Sequence, residues 1–420
     1  MMKFIERNKV RKWDYTFEYS LLLIIPFDLL ASLGMDLYLP VINDIRQEFS
    51  VSQDQIQFTL TLYMVMLGLG QLLFGPLSDA LGRRWVIIVG ALVYSCSSFS
   101  MALSNCFSLF LLLRFIQALS ASAILVSAFA TVRDVFADRE EGVVIYAIMG
   151  SVLAVVPAIA PFIGSLIDGL WHWRGIFYTL GIFAAMVGIH SLLKWPETRP
   201  EQTHPFEWSR CFTILGSKKF WSYTLAYGTA MGAFFVYFSA SPSILIDKLG
   251  LDKMAFSLWF GSVAIIMIIA TRFVKCLVKR WGTQGTVIRG LIGMMLSGGL
   301  LYGIEWFNGL NLFGFMLPMY LIGVHIALTC AVTANGALSS FSHSAGLATA
   351  LYYAIESLFL SAIVSLLIWF LPSGTTLVIC VYIMFSASLP LLLFLSMWVA
   401  NKRPIASYSL ESFGCFKILV

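Results

Sequence analysis

The chain has 420 residues, of which 59% are hydrophobic and only 12% charged, with a formal net charge of +5 and a mean hydropathy of +0.85. Soluble domains carry about 25% charged residues, so this composition excludes a soluble globular protein and points to a chain that crosses a membrane many times. Basic residues held at one membrane face account for the positive balance, and nucleic acid is not expected as a partner.

Lys3, Arg7, Lys9, Arg11 and Lys12 precede the first apolar run in the manner of a signal peptide's basic region. The run is too long and too polar for the core of a signal peptide, and no small-residue cleavage site follows, so a retained first helix is expected. Spans of about 20 apolar residues are expected at 18–41, 55–77, 85–104, 107–131, 142–167, 173–194, 221–246, 254–274, 285–306, 311–333, 345–370 and 374–398. The fold class is therefore all-α integral membrane, with about twelve helices. The longest polar break, 195–219, divides the spans six and six, giving bundles over 1–194 and 220–398, a cytoplasmic linker at 195–219 and a cytoplasmic tail at 399–420. With the N-terminus inside, 22 of the 27 Lys and Arg residues fall on inside segments. Arg46, Arg174, Lys248 and Lys253 fall outside and Arg114 lies within a span. Both termini are thus expected on the cytoplasmic side.

The first span, within 24–42, carries two carboxylates, Asp28 and Asp36. Each costs about 2.5–3.5 kcal/mol at mid-membrane on insertion scales and asks for a functional reason. Helical geometry places them about 80° apart around the axis and about 12 Å apart along it. They look into the same side of a bundle at two depths, which suits a proton relay or a cation-sensitive cavity.

The two halves echo one another. Residues 75–90, GPLSDALGRRWVIIVG, and 275–290, KCLVKRWGTQGTVIRG, are both basic turns between spans, with Gly82 and Gly282 at half-length spacing. A half-length repeat is what a two-bundle transporter shows, with its site between the halves. Seven scattered cysteines without a CxxC pair speak against a disulfide framework or a zinc site. The histidines form no HExxH, and without a Gly-Lys dipeptide there is no phosphate-binding loop for ATP. No metal or cofactor is expected.

Three motifs carry a resemblance. Gly75-Pro-Leu-Ser-Asp79-Ala-Leu-Gly82-Arg83-Arg84 is similar to the loop motif of the major facilitator superfamily, with Ala80 where that family usually has a basic residue. Leu111-x-x-Arg114-x-x-Gln117-Ala118 resembles the drug-antiporter motif with its intramembrane arginine, Ala118 replacing a glycine. Pro157-Ala-Ile-Ala160-Pro161-Phe-Ile-Gly164-Ser165 resembles the proline–glycine motif of exporters, with Ala160 and Ser165 in place of glycines. The stretches PFDLLASLGMDLYLP, QLLFGPLSD, FATVRD, WPETR and VTANGAL extend the likeness from span 1 to span 11. They resemble the proton-coupled chloramphenicol and florfenicol exporters, a group within the twelve-span drug:proton antiporters.

That resemblance implies two six-helix bundles alternating access around one cavity, in the bacterial inner membrane. It implies efflux of small amphiphilic antibiotics, most of all phenicols, in exchange for protons. Proton coupling then falls to Asp28, Asp36 and Arg114. The gate loop comprises Gly75, Asp79, Gly82, Arg83 and Arg84, with Asp79 expected to meet a helix N-terminus across the bundle interface. Pro157, Pro161 and Gly164 form the exporter kink. Tyr38, Tyr63, Gln117, Phe235, Phe238, Asn335 and Glu356 are candidates for the substrate cavity; Asn335 fits a helix-end hydrogen bond equally well. His190 and His325 read as packed, hydrogen-bonded residues. Expected partners are the drug, protons and membrane lipid, with the chain a monomer. A rival reading is an exporter of an endogenous metabolite. A non-transporting sensor would not need the acids, the arginine and the gate loop together, and an enzyme would need a nucleophile–base or metal cluster.

Overall fold

The computed structural model describes residues 13–136, 139–199, 208–341, 345–371 and 375–402. The N-terminal basic cluster, residues 200–207 of the expected linker and 403–420 of the expected tail lie outside the described residues. Every regular element among the described residues is helical.

Helix α1 runs Phe17–Asp36, its first turn capped by the Thr16 hydroxyl, which accepts from the Tyr19 amide. It is shorter than the expected 18–41. Pro40 explains the difference: inside a helix its ring would clash with the Asp36 carbonyl and its missing N–H would break the ladder. The chain instead makes a short 3₁₀ turn, Leu39–Val41, and then α2, Ile42–Glu48. Helix α3, Gln53–Leu81, opens with a reciprocal capping box between Ser52 and Gln55. Gly82 separates it from α4, Arg83–Ala102. Helix α5 spans Phe107–Phe136 and α6 spans Glu140–Lys194.

A straight α6 of 55 residues would measure about 82 Å, far beyond a hydrocarbon core of about 30 Å. It is interrupted at Trp171 and His172, the latter at φ 54°, so the element contains two crossings. The second half repeats the device. After a short α7, Trp208–Leu215, helix α8 runs Lys218–Pro242 and continues as a π-helical segment, Ser243–Lys248. Helix α9, Lys253–Asn308, is broken at Gly282. Helices α10 (Leu312–Leu338), α11 (Ala345–Phe370) and α12 (Thr376–Lys402) follow. With α6 and α9 each counted twice, the described residues supply twelve crossings. Gly82 and Gly282, at φ 100° and 70°, do the same backbone work in the two halves. Both sit in the positive-φ region that glycine enters without steric cost.

Within the first half α4 packs on α5 and α6, and within the second α10 packs on α8 and α9. The most extensive contacts between the halves are α3 with α11 and α6 with α9, and the 3₁₀ turn Leu39–Val41 also touches α8 and α9. The molecule has two ends, identified below by Gly82 and by Lys253.

Candidate functional site

Arg114 is fully buried in α5. Its Nη1 donates to the Gly34 carbonyl at 2.8 Å and to Gln117 Oε1 at 2.7 Å. The guanidinium lies 4.8 Å from the Tyr38 ring centroid and 4.3 Å from that of Tyr63, within cation–π range. A second layer holds these groups. Gln117 Nε2 donates to Ser98 Oγ at 2.8 Å. The Tyr63 hydroxyl donates to the Ala31 carbonyl at 2.9 Å and that of Tyr94 to the Leu30 carbonyl at 3.1 Å. The Tyr38 hydroxyl shares a 2.8 Å hydrogen bond with Thr59. Four helices, α1, α3, α4 and α5, thus meet on one cation. Gly34 is required here, because a Cβ would collide with the hydroxyls of both Tyr63 and Tyr94. Arg114 Nε and Nη2 are buried without a hydrogen-bond partner.

Asp28 and Asp36 lie on the one continuous helix α1, both buried. Neither carboxylate oxygen of Asp28 has a hydrogen-bond partner. Asp36 lies within electrostatic reach of Tyr63, two residues beyond the carbonyl that Arg114 holds. The guanidinium therefore bonds the backbone of the acid-bearing helix rather than a carboxylate.

The remaining cavity candidates divide. Tyr38, Tyr63 and Gln117 belong to the Arg114 cluster. Phe235 and Phe238 are buried in α8, where Phe238 packs edge-on against Phe260 of α9 at 4.8 Å. Asn335, near the C-terminal end of α10, accepts the Ser339 amide through its carbonyl. It lines a separate pocket of about 480 Å³ with Lys219, Tyr223 and Thr283. Glu356 is buried in α11 among tyrosines. His190 meets the Tyr19 hydroxyl at 3.0 Å and His325 Nδ1 meets the Leu321 carbonyl at 2.7 Å.

In the gate loop, Arg83 is buried and pairs with Asp79 on one side and with Asp134 on the other, the latter at 3.0 Å. It also donates to Ser78 Oγ at 2.6 Å. Arg84 donates to the Leu192 carbonyl at 2.9 Å. Glu197 Oε1 collects the backbone amides of Arg83, Thr198 and Arg199 at 2.9, 3.0 and 3.0 Å. These partners lie in the first half or at the start of the linker, and none of them belongs to the second half. Asp79 does not cross to the second half as the resemblance implied. Its partner Arg83 is one helical turn away, in the same half. Gly75, the other glycine of the loop motif, faces open space.

The opposite end is joined. Lys253 at the start of α9 bridges Asp44 of α2 and Asp168 of α6, the latter at 2.6 Å. Asn43 donates to Asp247 at 3.0 Å and Arg46 lies 3.7 Å from the same residue. Ser257 shares a 2.7 Å bond with Ser165 and donates to the Pro161 carbonyl at 2.9 Å. Pro161, a residue of the kink motif, therefore gives up a carbonyl to the other half, while Pro157 is buried in the same helix and Gly164 backs onto the Leu37 carbonyl. Hydrogen bonds and ion pairs between the halves gather at the Lys253 end, so the molecule is closed there. Sequence reading counted Lys253 and Arg46 only as loop charges and did not single out Asp168. Part-exposed pairs of this kind contribute about 0–1 kcal/mol each, which suits a closure that must reopen.

The comparisons agree with this architecture. The profile of the Major Facilitator Superfamily matches residues 28–365. The chain is 43% identical over 376 residues to a chloramphenicol resistance protein of Pseudomonas aeruginosa, covering 89% of this chain and 90% of that protein. It is 28% identical over 327 residues to the multidrug resistance protein MdtL of Salmonella heidelberg, covering 76% and 80%. Among solved structures, a D-xylose–proton symporter superposes with a TM-score of 0.70 at 15% identity, covering 91% of this chain and 98% of that one. A twelve-crossing helical fold, an arginine-centred cluster behind an acid-bearing first helix and a match across most of its length place this chain in the Major Facilitator Superfamily.

Proposed function

We propose that the chain is a proton-coupled antiporter that exports small amphiphilic antibiotics, with chloramphenicol and florfenicol as its first substrates. The observation that carries this reading is the 43% identity, over 89% of the chain, to a chloramphenicol resistance protein. Proton coupling is supported by two buried acids on α1 beside an arginine buried in α5. A neutral phenicol gives those charges no partner, whereas proton exchange gives them work. Domains 1–194 and 220–398 act as the two rocking units, with 195–219 as linker and 399–420 as tail. The Gly82 end, rich in Lys and Arg, faces the cytoplasm of the inner membrane, and a monomer suffices. In this orientation the structure is an inward-facing state.

Two measurements test the reading. Expression in a pump-deficient host should lower chloramphenicol accumulation, and an uncoupler should restore it. Unchanged phenicol accumulation alongside a fall in another compound would overturn the substrate, and efflux that survives the uncoupler would overturn the coupling. A cytoplasm-only reporter fused near residue 208 should be active; silence there would reverse the orientation.

A further inference from the structure

The pocket of about 480 Å³ beside Asn335 takes no part in the proposed exchange. It lies at the Gly82 end of the second half, lined by Lys219 and Tyr223 of α8, Thr283 of α9 and the end of α10 around Gly336 and Ser339. Charge here is one-sided. Residues 253–304 contain no Asp or Glu, while Arg272, Lys275, Lys279, Arg280 and Arg289 flank Gly282.

The two halves differ at this point. In the first half Gly82 starts α4, and the Glu197 carboxylate accepts from the Arg83 amide at 2.9 Å. That carboxylate fills the space beside the glycine, where a Cβ would collide with it. First-turn amides have no acceptor within their own helix, and the helix dipole favours an anion beside them. In the second half Gly282 starts the second crossing of α9, its carbonyl accepting from the Thr286 hydroxyl at 2.8 Å. Beyond its own turn, no described atom lies within 4 Å of a Cβ built at Gly282. Thr283, in register with Arg83, lines the pocket instead. The first half thus carries its own anion at this helix start, and the second carries an opening.

Two further groups make that opening a site. Lys219 donates to Ser339 Oγ at 2.9 Å and pairs with no carboxylate among the described residues. An ammonium has three protons to give, so donors remain for a ligand. The carbonyls at the end of α10 do not compete for them: that of Asn335 takes the Ser339 amide and that of Gly336 the Ser339 hydroxyl. Tyr223 lies one turn along α8 on the face of Lys219 and is only 4% exposed. Its ring lies on Gly336, where a Cβ would collide with it, and meets Phe394 edge-on at 5.1 Å. Its hydroxyl has no hydrogen-bond partner among the described residues and is not sealed from solvent, so it opens on the pocket that Tyr223 lines.

A lysine repels a metal cation, and no carboxylate lines the pocket. An ammonium, a hydroxyl donor and helix-start amides together suit the oxygens of a phosphate. We infer that Lys219, Tyr223 and Thr283 form a binding site for a phosphate group, carried by a soluble anion or by a lipid headgroup. This site is independent of which drug the chain exports.

The purified full chain in a neutral sugar detergent tests it. Inorganic phosphate, compared with chloride at matched ionic strength, or phosphatidylglycerol should raise its unfolding temperature. A response to inorganic phosphate assigns a soluble anion, and a response to phosphatidylglycerol alone assigns a headgroup. Lys219→Gln should raise the half-maximal concentration about tenfold or more, the scale of a lost charge-assisted contact. Tyr223→Phe keeps the ring packing and should raise it several-fold. Lys275→Gln, at the same end but outside the pocket lining, should leave it unchanged. A wild-type chain that responds to neither ligand would overturn the inference. So would a Lys275→Gln chain weakened as much as Lys219→Gln, the signature of diffuse surface charge, or a Tyr223→Phe chain that responds as the wild type does.

Discussion

Arg114→Ala is expected to abolish chloramphenicol efflux and to cost about 3–5 kcal/mol of stability. Two buried acceptors, the Gly34 carbonyl and Gln117 Oε1, lose their donor, at about 1–3 kcal/mol for each group left unmet. The tyrosine rings at 4.8 and 4.3 Å lose the plane they pack on. Arg114→Lys separates charge from geometry. An ammonium keeps the charge but has no planar fork to serve two acceptors while lying on two rings. It should retain more stability than the alanine variant and still lose most efflux. Drug accumulation in cells and thermal unfolding in detergent measure the two effects. Proton-driven efflux by Arg114→Ala at wild-type rate would show that the cluster is scaffold alone.

The sequence made the members of this cluster visible, but not their arrangement. An arginine and two acids inside apolar spans stand out because each is expensive there, and the eight-residue spacing of Asp28 and Asp36 survives intact on α1. Tyr94 and Ser98, which complete the shell, looked like any polar residue of a membrane helix. The tie from Arg114 to a backbone carbonyl was invisible because carbonyls carry no residue identity. The Lys253 latch was hidden for another reason: its partners, Asp44 and Asp168, are 209 and 85 residues away. A count of basic residues per face records such groups without pairing them. Asp79 shows the complementary limit. Its partner across the interface depends on which end is closed, and this structure is closed at the Lys253 end. Pro40 was in plain view, and its effect on the length of α1 follows from the clash at position i−4.

The largest functional effect should fall on Asp36. Desolvation favours the neutral carboxyl, and an approaching cation favours the carboxylate. A buried acid whose distance to a buried guanidinium changes between states can therefore take up a proton in one state and release it in the other. Here Arg114 holds the Gly34 carbonyl, two residues before Asp36, and its Nε and Nη2 have no partner. Those donors are the ones Asp36 would meet in the state that releases the proton. Asp28, one helical stretch nearer the Gly82 end and without any hydrogen-bond partner, is placed to serve as a second station. We expect Asp36→Asn to abolish active efflux and Asp28→Asn to reduce it or narrow the substrates. Reconstituted protein should release protons when chloramphenicol binds, and Asp36→Asn should lose most of that release while still folding, because the amide is isosteric. Normal proton-driven transport by the Asp36→Asn protein would remove Asp36 from this role. The carrier would then be sought at Asp28, or at Glu356 in the other half.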